Sequence, residues 1–118
     1  MSAVEQWETG RVLPVLRFNP TKDGIERWMG PLETIVMESM WRADYPRTVK
    51  GVWKELGQLG QPQAYTTIMT TMGRLWEKAI LSREKRGASY AYRARETRAQ
   101  FEERQIAAIL ASIDEGQL

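Results

Sequence analysis

The sequence predicts a mostly α fold with one small β-hairpin, and three observations carry that prediction. Three successive segments place apolar residues at helical spacing. A glycine-centred pair of short alternating segments follows them. One more helical stripe comes after the hairpin.

Gly30-Pro31 opens the first helix, with Pro31 in the first turn, where a missing N–H costs nothing. Leu32, Ile35, Val36, Met40 and Trp41 then form one apolar stripe, and Asp44-Tyr45-Pro46 ends it. Thr48 is placed to cap a second helix whose apolar face is Val49, Val52, Trp53 and Leu56. Gly51 inside it costs about 1 kcal/mol relative to alanine, which a close neighbour would explain. Gly60 reads as a left-handed cap, and Gln61-Pro62-Gln63 as the connection. A third helix runs from Ala64 or Tyr65 to Lys78, with Ile68, Met72, Leu75 and Trp76 on its apolar side. Its opposite face carries Thr66, Thr67, Met69, Thr70 and Arg74.

Ala79 to Lys85 reads as a strand, Arg86-Gly87-Ala88 as a turn, and Ser89 to Arg93 as the returning strand. The last helix covers roughly Thr97 to Ile113, with Phe101, Ile106, Ile109, Leu110 and Ile113 mostly on one side. No later element covers that stripe. Pairing with the same helix of a second copy is the expected solution, and folding back onto its own domain is the alternative. The order of elements is that of a winged helix-turn-helix followed by a C-terminal dimerisation helix. The expected division is an N-terminal arm (1–29), a winged-helix domain (30–94) and the dimerisation helix (95–118).

The arm contains an apolar stretch from Val12 to Phe18 and two turn signals, Asn19-Pro20 and Asp23-Gly24. Pro14 bars a central strand, which leaves an edge strand or an extended arm. Its expected role is to cover part of the domain's own core. Binding a protein partner or crossing to another subunit is the alternative.

Composition narrows the function. The chain has 118 residues, 42% hydrophobic and 27% charged, as in an ordinary globular domain. No apolar run approaches the roughly 20 residues needed to span a bilayer, and the N-terminal residues lack the pattern of a secretion signal. A cytoplasmic location with no membrane contact is expected. There is no cysteine and no histidine. Disulfides, Cys/His zinc sites and histidine-based catalysis are thereby excluded. No paired-carboxylate motif stands out, so neither an enzyme nor a cofactor is expected.

The formal net charge is only +2, but it is uneven. From Ala64 to Arg98 stand eight basic residues and three acidic ones. A local basic patch on a near-neutral chain is the footprint of phosphate contact, although a solvated basic face looks the same. In helix-turn-helix proteins the second helix of the pair enters the major groove of double-stranded DNA. That assigns Ala64, Tyr65, Thr66, Thr67, Met69, Thr70 and Arg74 to the DNA, with Arg83, Lys85 and Arg86 of the hairpin on the adjacent backbone. The reading is a repressor on a palindromic operator. The competing one is an adaptor that binds protein through the arm and the last helix.

Ala64-Tyr65-Thr66-Thr67-Ile68-Met69-Thr70-Thr71-Met72, with Arg74-Leu75-Trp76-Glu77-Lys78, resembles the recognition-helix signature of the penicillinase-repressor family. Gly30-Pro31-Leu32-Glu33, with Ile35-Val36-Met37 and Trp41, resembles that family's first helix. Leu81 to Ala88, closed by Tyr90 and Tyr92, is similar to its wing. The resemblance covers about residues 29 to 113. It implies a dimeric winged-helix repressor with the recognition-helix threonines and Arg74 at the operator. Family members are released when a sensor protease cleaves a longer C-terminal region. This sequence ends at Leu118, which leaves release by that route open. The copper-responsive branch uses C-terminal cysteines, which this chain lacks. Gly73 stands where the family commonly has a larger residue.

Overall fold

A computed structural model describes residues 11–116, with side chains described through Ile113. The first ten residues of the expected arm, and residues 117–118 of the expected dimerisation segment, lie outside the described residues. A short 3-10 turn (Gly24–Arg27) precedes α1 (Pro31–Arg42), β1 (Arg47–Thr48), α2 (Val49–Gln58) and α3 (Tyr65–Glu77). The hairpin β2 (Leu81–Arg86) and β3 (Ser89–Ala94) follows, then α4 (Arg98–Gly116). The strands form one antiparallel sheet in the order β1-β3-β2. This is the winged-helix arrangement the sequence predicts: mostly helical, with one small hairpin. Among the described residues, no helix is long and apolar enough to cross a membrane.

The caps explain most of the boundaries. The Glu33 carboxylate accepts from the Gly30 backbone N–H and holds the start of α1. The Thr48 hydroxyl accepts from the Gly51 N–H at 3.1 Å and starts α2. Gly60 follows α2 at φ +75°. Its N–H donates to Gly57 and that of Gln61 to Leu56, which makes a Schellman cap. The same cap ends α3, where Ala79 donates to Trp76 and Ile80 to Leu75. Here the left-handed residue is Ala79, at φ +64°. A backbone turned that way cannot start a strand, so β2 begins two residues later than the sequence suggested.

Strand β1 has no counterpart among the elements expected from the sequence. Two residues pair with the centre of β3, Arg47 with Tyr92 and Thr48 with Ala91. A strand that short has no periodicity to read. Arg47 turns inward and is only 7% exposed. Its guanidinium donates to Glu55 at 2.7 Å, to the Ser39 hydroxyl at 3.0 Å and to the Gly51 carbonyl at 2.8 Å. One charged side chain thus ties α1, β1 and α2 together. Gly51 is not forced by crowding, because an added Cβ would lie 3.5 Å from the Thr48 hydroxyl and 3.8 Å from Arg47.

The core gathers Val36, Met37 and Met40 of α1, Val52 and Leu56 of α2, and Ile68, Met72 and Leu75 of α3. Leu81, Tyr92 and Phe101 close it. Ile25, Trp28 and Met29, all upstream of Gly30, belong to the same cluster.

Residues 11–19 form no strand, so of the two sequence alternatives the extended arm is the one observed. The arm lies on its own chain. The Leu16 N–H donates to Gln105 Oε1, and the Pro14 carbonyl accepts from Gln105 and Arg104. Leu16 packs against the core, and Phe18 sits on Trp28 with ring centroids 5.8 Å apart.

Candidate nucleic-acid interface

Helix α3 has two faces. Ile68, Met72 and Leu75 are fully buried. Thr71 is buried as well, because its hydroxyl donates to the Thr67 carbonyl at 2.8 Å and so turns inward. Thr66, Thr70 and Arg74 stand exposed at intervals of four, in one line along the helix. Met69 and Tyr65 are exposed beside them, and Thr67 is half-buried. Leu32 of α1 joins Thr66, Thr67, Thr70, Thr71 and Arg74 in lining a shallow groove. Arg74 makes no ion pair among the described residues. Ala64 occupies the N-cap without a side chain to close it, so the first N–H groups of α3 are left for water or an anion.

The start of α3 is braced by a residue that the sequence reading gave only to the apolar face of α2. The Trp53 indole N–H donates to the Gln63 carbonyl at 3.0 Å, and its ring meets Tyr65 edge-on at 5.7 Å. Trp53 therefore holds both the connecting turn and the first residue of α3. Its position at the edge of the stripe was the available signal.

The hairpin divides its cations. Lys85 and Arg86 are exposed at the end of β2, beside the Gly87-Ala88 turn, where Gly87 takes φ +63°. Arg86 lies 3.4 Å from the buried Glu84 carboxylate. Arg83 is different. Its guanidinium carbon lies 3.5 Å from the centre of the Trp76 ring and 4.0 Å from that of Tyr90, between α3 and β3.

The expected dimerisation residues separate into two groups. Phe101 is 0% exposed and packs on Trp28 and Trp41, with centroids 6.1 and 5.5 Å away. It is a core residue of its own chain and has no surface to offer a second one. Gln105 and the half-buried Ile109 continue that inner stripe. Ile106, Leu110 and Ile113 are exposed. Five residues of α-helix turn the chain by about 140° from the inner stripe, so Phe101 and Ile106 cannot share a face. Both stripes are apolar, so hydrophobicity alone does not separate them.

A comparison with curated proteins finds no match. Residues 29–118 match the family described as Penicillinase repressor. That span takes in α1, the α2–α3 pair, the cationic hairpin and α4. The chain belongs to the penicillinase-repressor family of DNA-binding transcriptional repressors.

Proposed function

We propose that the protein represses transcription as a cytoplasmic homodimer on a palindromic operator, with α3 in the major groove. The observation that carries this reading is the exposed line Thr66, Thr70 and Arg74 on a helix whose other face is fully buried. Threonine offers a hydroxyl to bases and a methyl to thymine, and Arg74 offers a charge to phosphate. Lys85 and Arg86 extend the cationic surface to the neighbouring backbone. The arm, 1–29, the winged helix, 30–94, and the dimerisation segment, 95–118, serve as three functional parts. The dimer contact is the outer stripe of α4: Ile106, Leu110 and Ile113. The test is genome-wide occupancy of the tagged protein in its host. A few sharp peaks sharing an inverted repeat are expected, and diffuse occupancy would overturn the reading.

Thr70→Ala is expected to weaken cognate binding by about 1–3 kcal/mol while leaving random DNA unaffected. Thr67→Ala should act in the same direction. Titration of both duplexes by fluorescence anisotropy checks this, and equal losses on the two would remove the threonines as base readers.

Leu110 is 58% exposed, so Leu110→Asp should leave the fold intact and break the dimer. Light scattering should give the mass of one chain. Operator affinity should fall about 100-fold, because the two half-sites no longer bind as one unit. A mass unchanged from the wild type would place the contact elsewhere.

The adaptor reading is favoured by one observation. Val12 and Val15 stand 85% and 68% exposed on the arm beside α4. It takes over if occupancy is diffuse and a partner protein protects these two residues.

A further inference from the structure

We propose that Arg83 is a positioning residue that locks the hairpin at a fixed angle to α3, rather than a phosphate contact. The proposal rests on the DNA-binding reading above for its consequence, but not for its geometry. Trp76 belongs to the last turn of α3 and Tyr90 to β3, and the Arg83 guanidinium lies against both rings. Across the ladder Lys85 faces Tyr90 and Arg83 faces Tyr92, so Arg83 reaches Tyr90 diagonally, within range of a long side chain. A planar cation stacked on two aromatic faces is fixed in orientation and partly stripped of water. Lys85 and Arg86 lie at the exposed tip, Arg86 3.4 Å from the Glu84 carboxylate.

The junction needs a lock. Between α3 and β2 the chain runs through Lys78, the left-handed Ala79 and Ile80. The Schellman bonds and the buried Leu81 and Tyr92 fix the base of the wing, and Arg83 holds the strand one step further out. Further contacts converge on the same place. Arg11 of the arm lies 5.1 Å from the Trp76 ring centre and donates to the Glu77 carbonyl. Arg95 donates to the Ala79 carbonyl and to that of Arg11. The wing can place Lys85 and Arg86 on the backbone only if its angle to the groove-reading helix is held.

The experiment compares wild type, Arg83→Lys, Arg83→Gln, Tyr90→Leu and Arg86→Ala. In the free protein, amide hydrogen exchange across β3 should quicken in both Arg83 variants and in Tyr90→Leu, while α1 stays protected. Unchanged β3 exchange would overturn the proposal. The second readout is affinity for a fluorescent duplex selected by the wild type from a random library. Lysine keeps the charge but not the plane, so Arg83→Lys and Arg83→Gln should both lose about tenfold, without a change in salt slope. Tyr90→Leu removes no charge and should lose a similar amount, and combining it with Arg83→Gln should add little. Arg86→Ala should lower the salt slope by about one. Full affinity in Arg83→Lys, with a slope lowered by about one in Arg83→Gln, would make Arg83 a phosphate contact instead. If the wild type selects no duplex, the repressor reading falls, and the exchange measurement still decides the lock.

Discussion

Phe101→Ala is expected to cost about 3–5 kcal/mol of folding stability, the range for deleting a buried aromatic ring. Phe101 has no exposed surface, and it joins Trp28 from the segment before α1 to Trp41 from the end of α1. Loss of the ring leaves both indoles facing a cavity. It also frees the first turns of α4, whose next inner residue is the buried Gln105. Urea unfolding followed by tryptophan fluorescence measures the change. A loss below about 1 kcal/mol would show that the site collapses around the gap and that α4 is not anchored there. Phe101→Leu, which refills most of the volume, should recover much of the loss.

Arg47→Met is expected to cost about 3 kcal/mol, the lower end for breaking a buried pair by removing one partner. The lower end applies because Glu55 keeps Arg42 at 2.8 Å and remains partly open to solvent. The Gly51 and Ser39 carbonyls and the Ser39 hydroxyl lose their guanidinium donor, although the Ser39 carbonyl keeps the Ala43 N–H. The same network fixes the response to acid. Burial pushes the Glu55 carboxyl up, but hydrogen bonds from Arg42, Ser39 and Arg47, with the Arg47 charge, more than offset it and hold it below its ordinary value. A carboxylate depressed on folding stabilises the protein above its unfolded pKa, and that contribution disappears as pH falls through the folded value. Stability measured against pH on the acid side should therefore fall less steeply in Arg47→Met than in the wild type. Parallel curves would show that Arg47 does not hold Glu55 ionised.

The two Schellman caps show what the sequence made legible and why. Both helix ends use one hydrogen-bond pattern, yet only Gly60 announces it, because glycine takes a positive φ without cost. Ala79 adopts the same backbone against its own preference, held by the Trp76 and Arg95 bonds, and nothing local in the sequence marks it. Helices α1 to α3 followed from spacing, with Val36, Met40, Val52, Leu56, Ile68, Met72 and Leu75 buried as expected, but Leu32 and Trp53 at the stripe edges are exposed and Met37, outside the expected stripe, is buried. The strand β1 escaped because its two residues are held by partners distant in sequence, Tyr92 and Ala91. On α4, spacing found the apolar positions but not which of two stripes faced home. That depended on Trp28 and Trp41, which no pattern within α4 contains. The role of Arg83 was hidden for a similar reason: among the basic residues of the hairpin it reads as one charge of several, and its aromatic partners come from two other elements.

The clasp between the arm and α4 has a consequence for the order of assembly. Pro14 and Leu16 meet Arg104 and Gln105 across 89 to 91 residues of chain. During synthesis the arm leaves the ribosome well before its landing site, which follows it by 89 to 91 residues. The three-helix unit and hairpin, rich in nearby contacts, can form in the meantime. The arm then closes a loop of nearly the whole described chain, and the entropy of closing it falls on that final step. A segment that docks last should also be the first to lift under native conditions, and lifting it frees Arg104 and Gln105 of α4 while Phe101 stays packed on Trp28 and Trp41.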